Sequence, residues 1–160
     1  QANSPERRGA AIRSLAETLA AAGRYDEADR ELARALEIDN KLEGMWSFTD
    51  NYDLAKLRYL QKRYDEAQKI FDGLKDALAK FPPQSQVWDE VWTFQARLQL
   101  AHGHAELAVP LLKKVRPGPQ RLEAVTVLVE AFDKLGDKQG AAAARKEAAD
   151  LGATSGSGGR

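Results

Sequence analysis

Cysteine is absent from the 160 residues, which excludes disulfides, thiolate metal sites and a cysteine nucleophile. Histidine occurs only as His102 and His104. With Glu106 these two could begin a zinc or nickel site, but no further histidine completes it, and the cluster falls where a helix joint needs polar cover. Net charge is missing too: 24 Lys and Arg balance 24 Asp and Glu, so no global field gathers nucleic acid or an anionic membrane. No apolar run nears the roughly 20 residues that cross a bilayer. The glycines from Gly152 to Gly159 follow no strand and open no helix, so they do not form a phosphate cradle. Ser4, Ser14, Ser47 and Ser85 suit caps and helix surfaces rather than a triad. The expectation is a chain with no catalytic residue, no metal site and no cofactor.

What is present is ample core material: 43% of the residues are hydrophobic, enough for one folded, soluble domain. The compartment stays open, with the cytoplasm favoured over export. The start at Gln1 rather than Met reads as a processed or excised end. The most informative feature is a verbatim internal repeat, because Arg24-Tyr25-Asp26-Glu27-Ala28 returns unchanged at Arg63-Tyr64-Asp65-Glu66-Ala67. Each copy reads as the joint of a helical hairpin. Gly23 can take the left-handed conformation that ends a helix, and Asp26 and Glu27 suit the positive end of the next one. Tyr25 can wedge between the paired helices, while Ala28 lets their backbones approach.

The helical periodicity predicts eight helices. Ser4-Pro5-Glu6 starts the first, with Ile12, Leu15, Ala16 and Leu19 on its apolar side up to Gly23. The second runs from Tyr25 to Ile38 and ends at Asp39-Asn40. A third begins near Ser47 or slightly earlier, and a single fourth helix carries Ala67, Ile70, Phe71, Leu74 and Leu78 to Pro82-Pro83. Ser85 caps a fifth, apolar on two sides. A sixth contains Pro110 and stops at Pro117-Gly118-Pro119. The seventh runs from Leu122 to Gly136 and the eighth from Ala141 to Leu151. Residues 1–3 and the Gly/Ser tail 152–160 are expected to be disordered. Trp46, Trp88 and Trp92 could line a ligand pocket, but Trp88 and Trp92 share a helical face and read as packing.

Aligned on their joints, Tyr25, Tyr64, Ala105 and Lys138 are equivalent and stand 39, 41 and 33 residues apart. This spacing, with Ile12, Leu15, Ala16, Leu19, Ala28 and Leu32 in the first unit, resembles the tetratricopeptide repeat family, whose unit is roughly 34 residues. Trp92, Ala96, Ala108 and Leu112 in the third unit and Val125, Leu128, Val129, Phe132 and Ala141 in the fourth agree with it. The resemblance covers residues 4–151, as units of about 9–40, 45–82, 86–117 and 120–151. It departs at Asn51 and Arg58, at Gln95 and Gln99, where Phe94 and Leu98 are expected to take over the packing, and at Arg145, which suits a solvent-facing end helix.

The resemblance implies an all-α, right-handed α-solenoid of antiparallel helix hairpins and a protein-protein interaction scaffold. A partner peptide or helix would lie in a concave groove formed by Arg13, Glu17, Tyr52, Lys56, Tyr59, Thr93, Arg97, Leu100 and Glu130, with Thr126 and Asp133 beside them. Tyr52, Lys56, Tyr59 and Arg97 are the expected anchors, for a partner with acidic or aromatic residues. Arg13, Glu17, Asp53, Glu90 and Phe94 stand where one subgroup of the family grips a chaperone carboxylate, and these acids argue against that ligand. The alternative function is a regulatory or docking segment of a larger enzyme, signalling or secretion protein. Self-association through an end repeat is open, no nucleic acid or membrane insertion is expected, and the Ala/Arg-rich composition suits a bacterial protein.

Overall fold

The computed structural model describes residues 5–39 and 45–156, with side chains for 8–38 and 48–153. Ser4, Asn40 and residues 157–160 lie outside the described residues, as do the side chains of Trp46 and Ser47. The described residues form nine α-helices in two units, residues 1–80 and 81–160. The first unit holds α1 (Pro5–Ala21), α2 (Tyr25–Asp39), α3 (Met45–Leu60), α4 (Tyr64–Asp72) and α5 (Lys75–Leu78). The second holds α6 (Val87–Ala101), α7 (Ala105–Lys113), α8 (Arg121–Leu135) and α9 (Lys138–Gly156). The second helices start at the four positions that the joint alignment makes equivalent, Tyr25, Tyr64, Ala105 and Lys138, the last of them ahead of the expected Ala141.

The joints share one hydrogen-bond pattern. After α1, Gly23 N–H donates to the Ala20 carbonyl and Arg24 N–H to that of Leu19, closing the helix with a left-handed residue, φ 74°. After α6, Gly103 and His104 donate to Leu100 and Gln99, and after α8, Gly136 and Asp137 donate to Asp133 and Phe132. After α3, Lys62 and Arg63 donate to Tyr59 and Arg58, and here the left-handed residue is a lysine, φ 61°. Only the absence of Cβ makes that conformation inexpensive.

The repeated pentapeptide also does something the periodicity does not disclose. Arg24 forks onto Glu27 with both contacts at 2.7 Å, and Arg63 forks onto Glu66 at 2.7 and 2.6 Å. The arginine before the helix and the glutamate in its first turn thus brace each second helix in the first unit. Hydrogen bonding to the guanidinium holds Glu27 and Glu66 below the usual carboxylate range. Ala28 and Ala67 are fully buried, as close backbone approach requires, and Tyr25 packs on a core of Ala16, Leu19, Ala28, Leu32 and Leu57. In the second unit, Ala96, Leu100, Ala108, Leu112, Val125 and Leu128 belong to one core, with Trp92 and Phe132 against it.

Three expectations about helices need revision. The fourth helix is not continuous: Gly73 N–H is shared between the Lys69 and Ile70 carbonyls, and Leu74 N–H bonds back to Phe71, a tight turn that separates α4 from α5. It still leaves Leu74 and Leu78 buried. The last helix begins at Lys138 and extends to Gly156, so residues 152–156 are helical rather than part of a disordered tail. Each added residue gains a backbone bond once the helix exists, and no proline stops it. Ser85 is a weak cap, its hydroxyl 3.4 Å from Val87 N. Pro110 lies inside α7 and is exposed.

The departures from the repeat pattern are resolved by side-chain contacts. Arg58 of α3 donates to Asp29 of α2 and to Gln61, whose amide donates to the second Asp29 oxygen at 3.1 Å. Phe94 and Leu98 are buried in place of Gln95 and Gln99. Arg145 is exposed and reaches both Asp133 oxygens at 2.7 Å.

The left-handed Lys62 sets a direct expectation for stability. Relief of about 1–2 kcal/mol of αL strain exceeds the entropic penalty of a new glycine, so K62G should raise stability by about 0.5–1 kcal/mol. G23A at the equivalent joint should lower it by about 1 kcal/mol. Urea unfolding followed by circular dichroism measures both; a destabilised K62G contradicts the strain.

Candidate partner-binding faces

In the first unit the candidate face belongs to α1 and α3. Arg13 does not reach its surface: its guanidinium donates to Asp50 of α3 at 3.0 Å, with side chains 7% and 0% exposed. Tyr52 is buried and stacked on Phe48, ring centroids 5.9 Å apart. Lys56 is accessible, yet engaged. Its ammonium stands 2.6 Å from Asp53 and 5.0 Å from the Tyr52 ring centre. Tyr59 is half-buried against Tyr64 at 5.3 Å, and Glu17 is exposed.

In the second unit the face belongs to α6 and α8. Thr93 is buried with its hydroxyl donating to the Asp89 carbonyl at 2.8 Å, and Leu100 is part of the core. Arg97 reaches from α6 to Glu123 of α8 at 3.0 Å, while Gln120 lies 3.5 Å from Glu90. Glu130 is exposed with Lys134 at 3.7 Å, and Thr126 is exposed with its hydroxyl bonded to Leu122.

Four expected groove residues, Arg13, Tyr52, Thr93 and Leu100, are therefore interior side chains. Arg13, Tyr52 and Thr93 hold the same repeat position, and for Arg13 the cause is visible: α3 covers it and supplies Asp50. Thr126, at that position in the final hairpin, remains exposed. Lys56, Tyr59, Arg97, Glu17 and Glu130 keep accessible surface, the first three only in part. Asp50, Asp53 and Glu123 are the partners that sequence reasoning missed, because no repeat rule marks an acid that lies across from a base on another helix.

The other polar construction of the second unit is a staple beneath a cleft of about 540 Å³ lined by Gln84, Gln86, Val87, Asp89, Glu90 and residues 116–120. Asp89, in the first turn of α6, accepts from the Arg116 backbone at 3.0 Å and from its guanidinium at 2.7–3.2 Å. Arg116 also donates to the Gln84 and Ser85 carbonyls at 2.8 Å, which ties the end of α7 to the entrance of α6. Burial pushes the Asp89 carboxyl up, but the Arg116 hydrogen bonds outweigh it and hold the group below its ordinary value. Arg121 plays a similar part between α8 and α9, donating to Glu147 at 2.6 Å and to the Val115 carbonyl at 2.8 Å.

His102 and His104 are used locally. His102 Nδ1 lies 2.8 Å from the Leu98 carbonyl and His104 is 3.6 Å from Glu106. Among the described residues no three His, Asp or Glu side chains converge as metal ligands. Trp88 and Trp92 stack at 6.0 Å, with Trp88 Nε1 donating to the Pro82 carbonyl.

Comparison with known proteins matches no protein-family model and no curated protein. Solved structures do match. Crystal structures of nearly identical TPR-like repeats from a Podosopora anserina chain described as a kinesin light chain superpose with TM-scores of 0.67, for a single-substitution variant, and 0.65. In both the identity is 22%, over 97% of this chain and 79% of the other. The fold is a tetratricopeptide-like helical repeat. No helix among the described residues is long and apolar enough to cross a membrane.

The staple predicts an acid-sensitive contribution to stability. Because the folded pKa of Asp89 is depressed, its contribution is complete above the unfolded value of about 3.9 and is lost as pH falls through the folded value. D89N should cost about 2 kcal/mol at pH 7, and the gap to the parent should begin to narrow below about pH 4 and keep narrowing as the pH falls further. Chemical denaturation across pH checks this; a gap independent of pH contradicts it.

Proposed function

We propose that this chain is a non-catalytic protein-interaction scaffold that presents the first-helix faces of its hairpins to a partner peptide or helix. The observation that carries the reading is the Arg97–Glu123 pair, which sets two long polar side chains on adjacent first helices over a packed core. Helices fixed by joints of one shared hydrogen-bond pattern present such groups with little further ordering, so association costs entropy mainly on the partner's side. On the first unit's face, Lys56 and Tyr59 take the corresponding role. Both accessible cations are already paired, Lys56 with Asp53 and Arg97 with Glu123, so an acidic partner exchanges one carboxylate for another. Such an exchange favours selectivity over raw affinity. The TPR-like fold of the neighbours supports this class of function, since stacked helical repeats form extended binding surfaces.

The test is capture from native lysate with the parent, K56E, R97E and the double variant as baits. Each single reversal should reduce retention of the partner about fivefold, a change of about 1 kcal/mol, with circular dichroism unchanged. Undiminished retention by the folded double variant rules out these faces.

A further inference from the structure

Beside the joint that links α3 to α4, an open cleft of about 470 Å³ is lined by Tyr25, Asp26, Leu60, Gln61, Lys62 and Arg63. Three features meet in it. Lys62 occupies a left-handed position that Gly23, Gly103 and Gly136 fill in the other joints, so a side chain is kept where its backbone is strained. Leu60 is 45% exposed at the cleft although core positions of α3 such as Leu57 are buried. Several nearby charges are consumed by one another: Arg63 forks onto Glu66, Arg24 onto Glu27, and Arg58 holds Asp29. Among the described residues, Lys62 and Asp26 have no ion-pair partner, and Arg30, one helical turn beyond Asp26, does not pair with it.

A cation and an anion, both unengaged and sharing a cleft with an apolar side chain, form a self-complementary pattern. Under a two-fold rotation the cation of one copy meets the anion of the other twice, and the leucines meet near the axis. We propose that this cleft is the contact through which two copies of the chain associate, with Lys62 of each copy pairing with Asp26 of the other around a Leu60–Leu60 contact. A partner carrying a single sign of charge would satisfy one of the two groups and repel the other, which favours a second copy as occupant. The surface is small, so the dimer is weak and salt-sensitive. It lies on the joint edge and is independent of the first-helix faces.

Charge exchange tests the pairing without relying on any one variant's fold. Sedimentation equilibrium of the parent should show a concentration-dependent monomer–dimer equilibrium that weakens with added salt. K62E and D26K should each raise the dissociation constant at least about tenfold, because each reversal converts both symmetry-related attractions into repulsions. An equimolar mixture of the two variants should recover association to within about threefold of the parent, since the lysine introduced at position 26 then faces the glutamate introduced at position 62. K62G should be better folded than the parent and yet dimerise less. A parent that stays monomeric at millimolar concentration, singles that dimerise like the parent, or a mixture no tighter than its components overturns the proposal.

Discussion

The left-handed turn at the end of each first helix is the constraint on which the rest of the molecule depends. The bond from the residue after the turn to a carbonyl five residues back fixes where the chain leaves one helix and enters the next. Once that direction is set, the alanine that follows must let two backbones approach, and Ala28, Ala67, Ala108 and Ala141 are all fully buried. The leucines and aromatics on either side then fill the space that remains. Similar hairpins therefore arise from joints whose sequences have diverged, because the geometry resides in one backbone conformation rather than in particular side chains.

Different side chains enforce that geometry in different joints. In the first unit the work after the turn falls to an exposed Arg–Glu fork, in which both groups are strongly hydrated and the net gain is small. In the last joint there is no such fork. Asp137 instead caps α9 by accepting from Gly140 N–H at 2.8 Å, and a Cβ at Gly140 would come within 2.8 Å of the Phe132 ring. A glycine inside a helix usually costs stability, but here it admits the aromatic ring that closes the hairpin. The verbatim pentapeptide is thus one solution among several, which explains why it occurs twice and then fades.

Local order was legible in the sequence because it is written locally. The starts of α2, α4 and α7 follow from the joint alignment, and the replacement of Gln95 and Gln99 by Phe94 and Leu98 in the interior follows from reading two apolar stripes on α6. What could not be read is set by contacts between residues far apart in the chain. Arg13 looks like a surface cation on a helical stripe, and only the approach of α3 with Asp50 makes it interior. Asp89 looks like a first-turn acid placed for the helix dipole, and Arg116, 27 residues on, turns it into a staple. The break at Gly73 was invisible for another reason: the apolar spacing of Ile70, Phe71, Leu74 and Leu78 is kept across the tight turn, so periodicity alone reports one helix.

The placement of charge separates two kinds of polar contact. Buried or shielded pairs, such as Arg13–Asp50 and Asp89–Arg116, tie elements together and would leave a desolvated charge behind if one partner were removed. An accessible pair, such as Arg97–Glu123, contributes little to folding yet holds its cation in a defined position, and Lys56 is held as firmly by reaching in from the surface to the buried Asp53. A neutral protein can carry many charges of the second kind without a global field, and each stays silent until a partner offers a better carboxylate than the internal one. Lys62 belongs to neither kind. Its ammonium has no counter-charge among the described residues, and its backbone is held in a conformation that glycine would adopt with less strain. A residue that contributes so little to its own fold and still occupies a cleft edge is the place where stability and interaction pull against each other most directly.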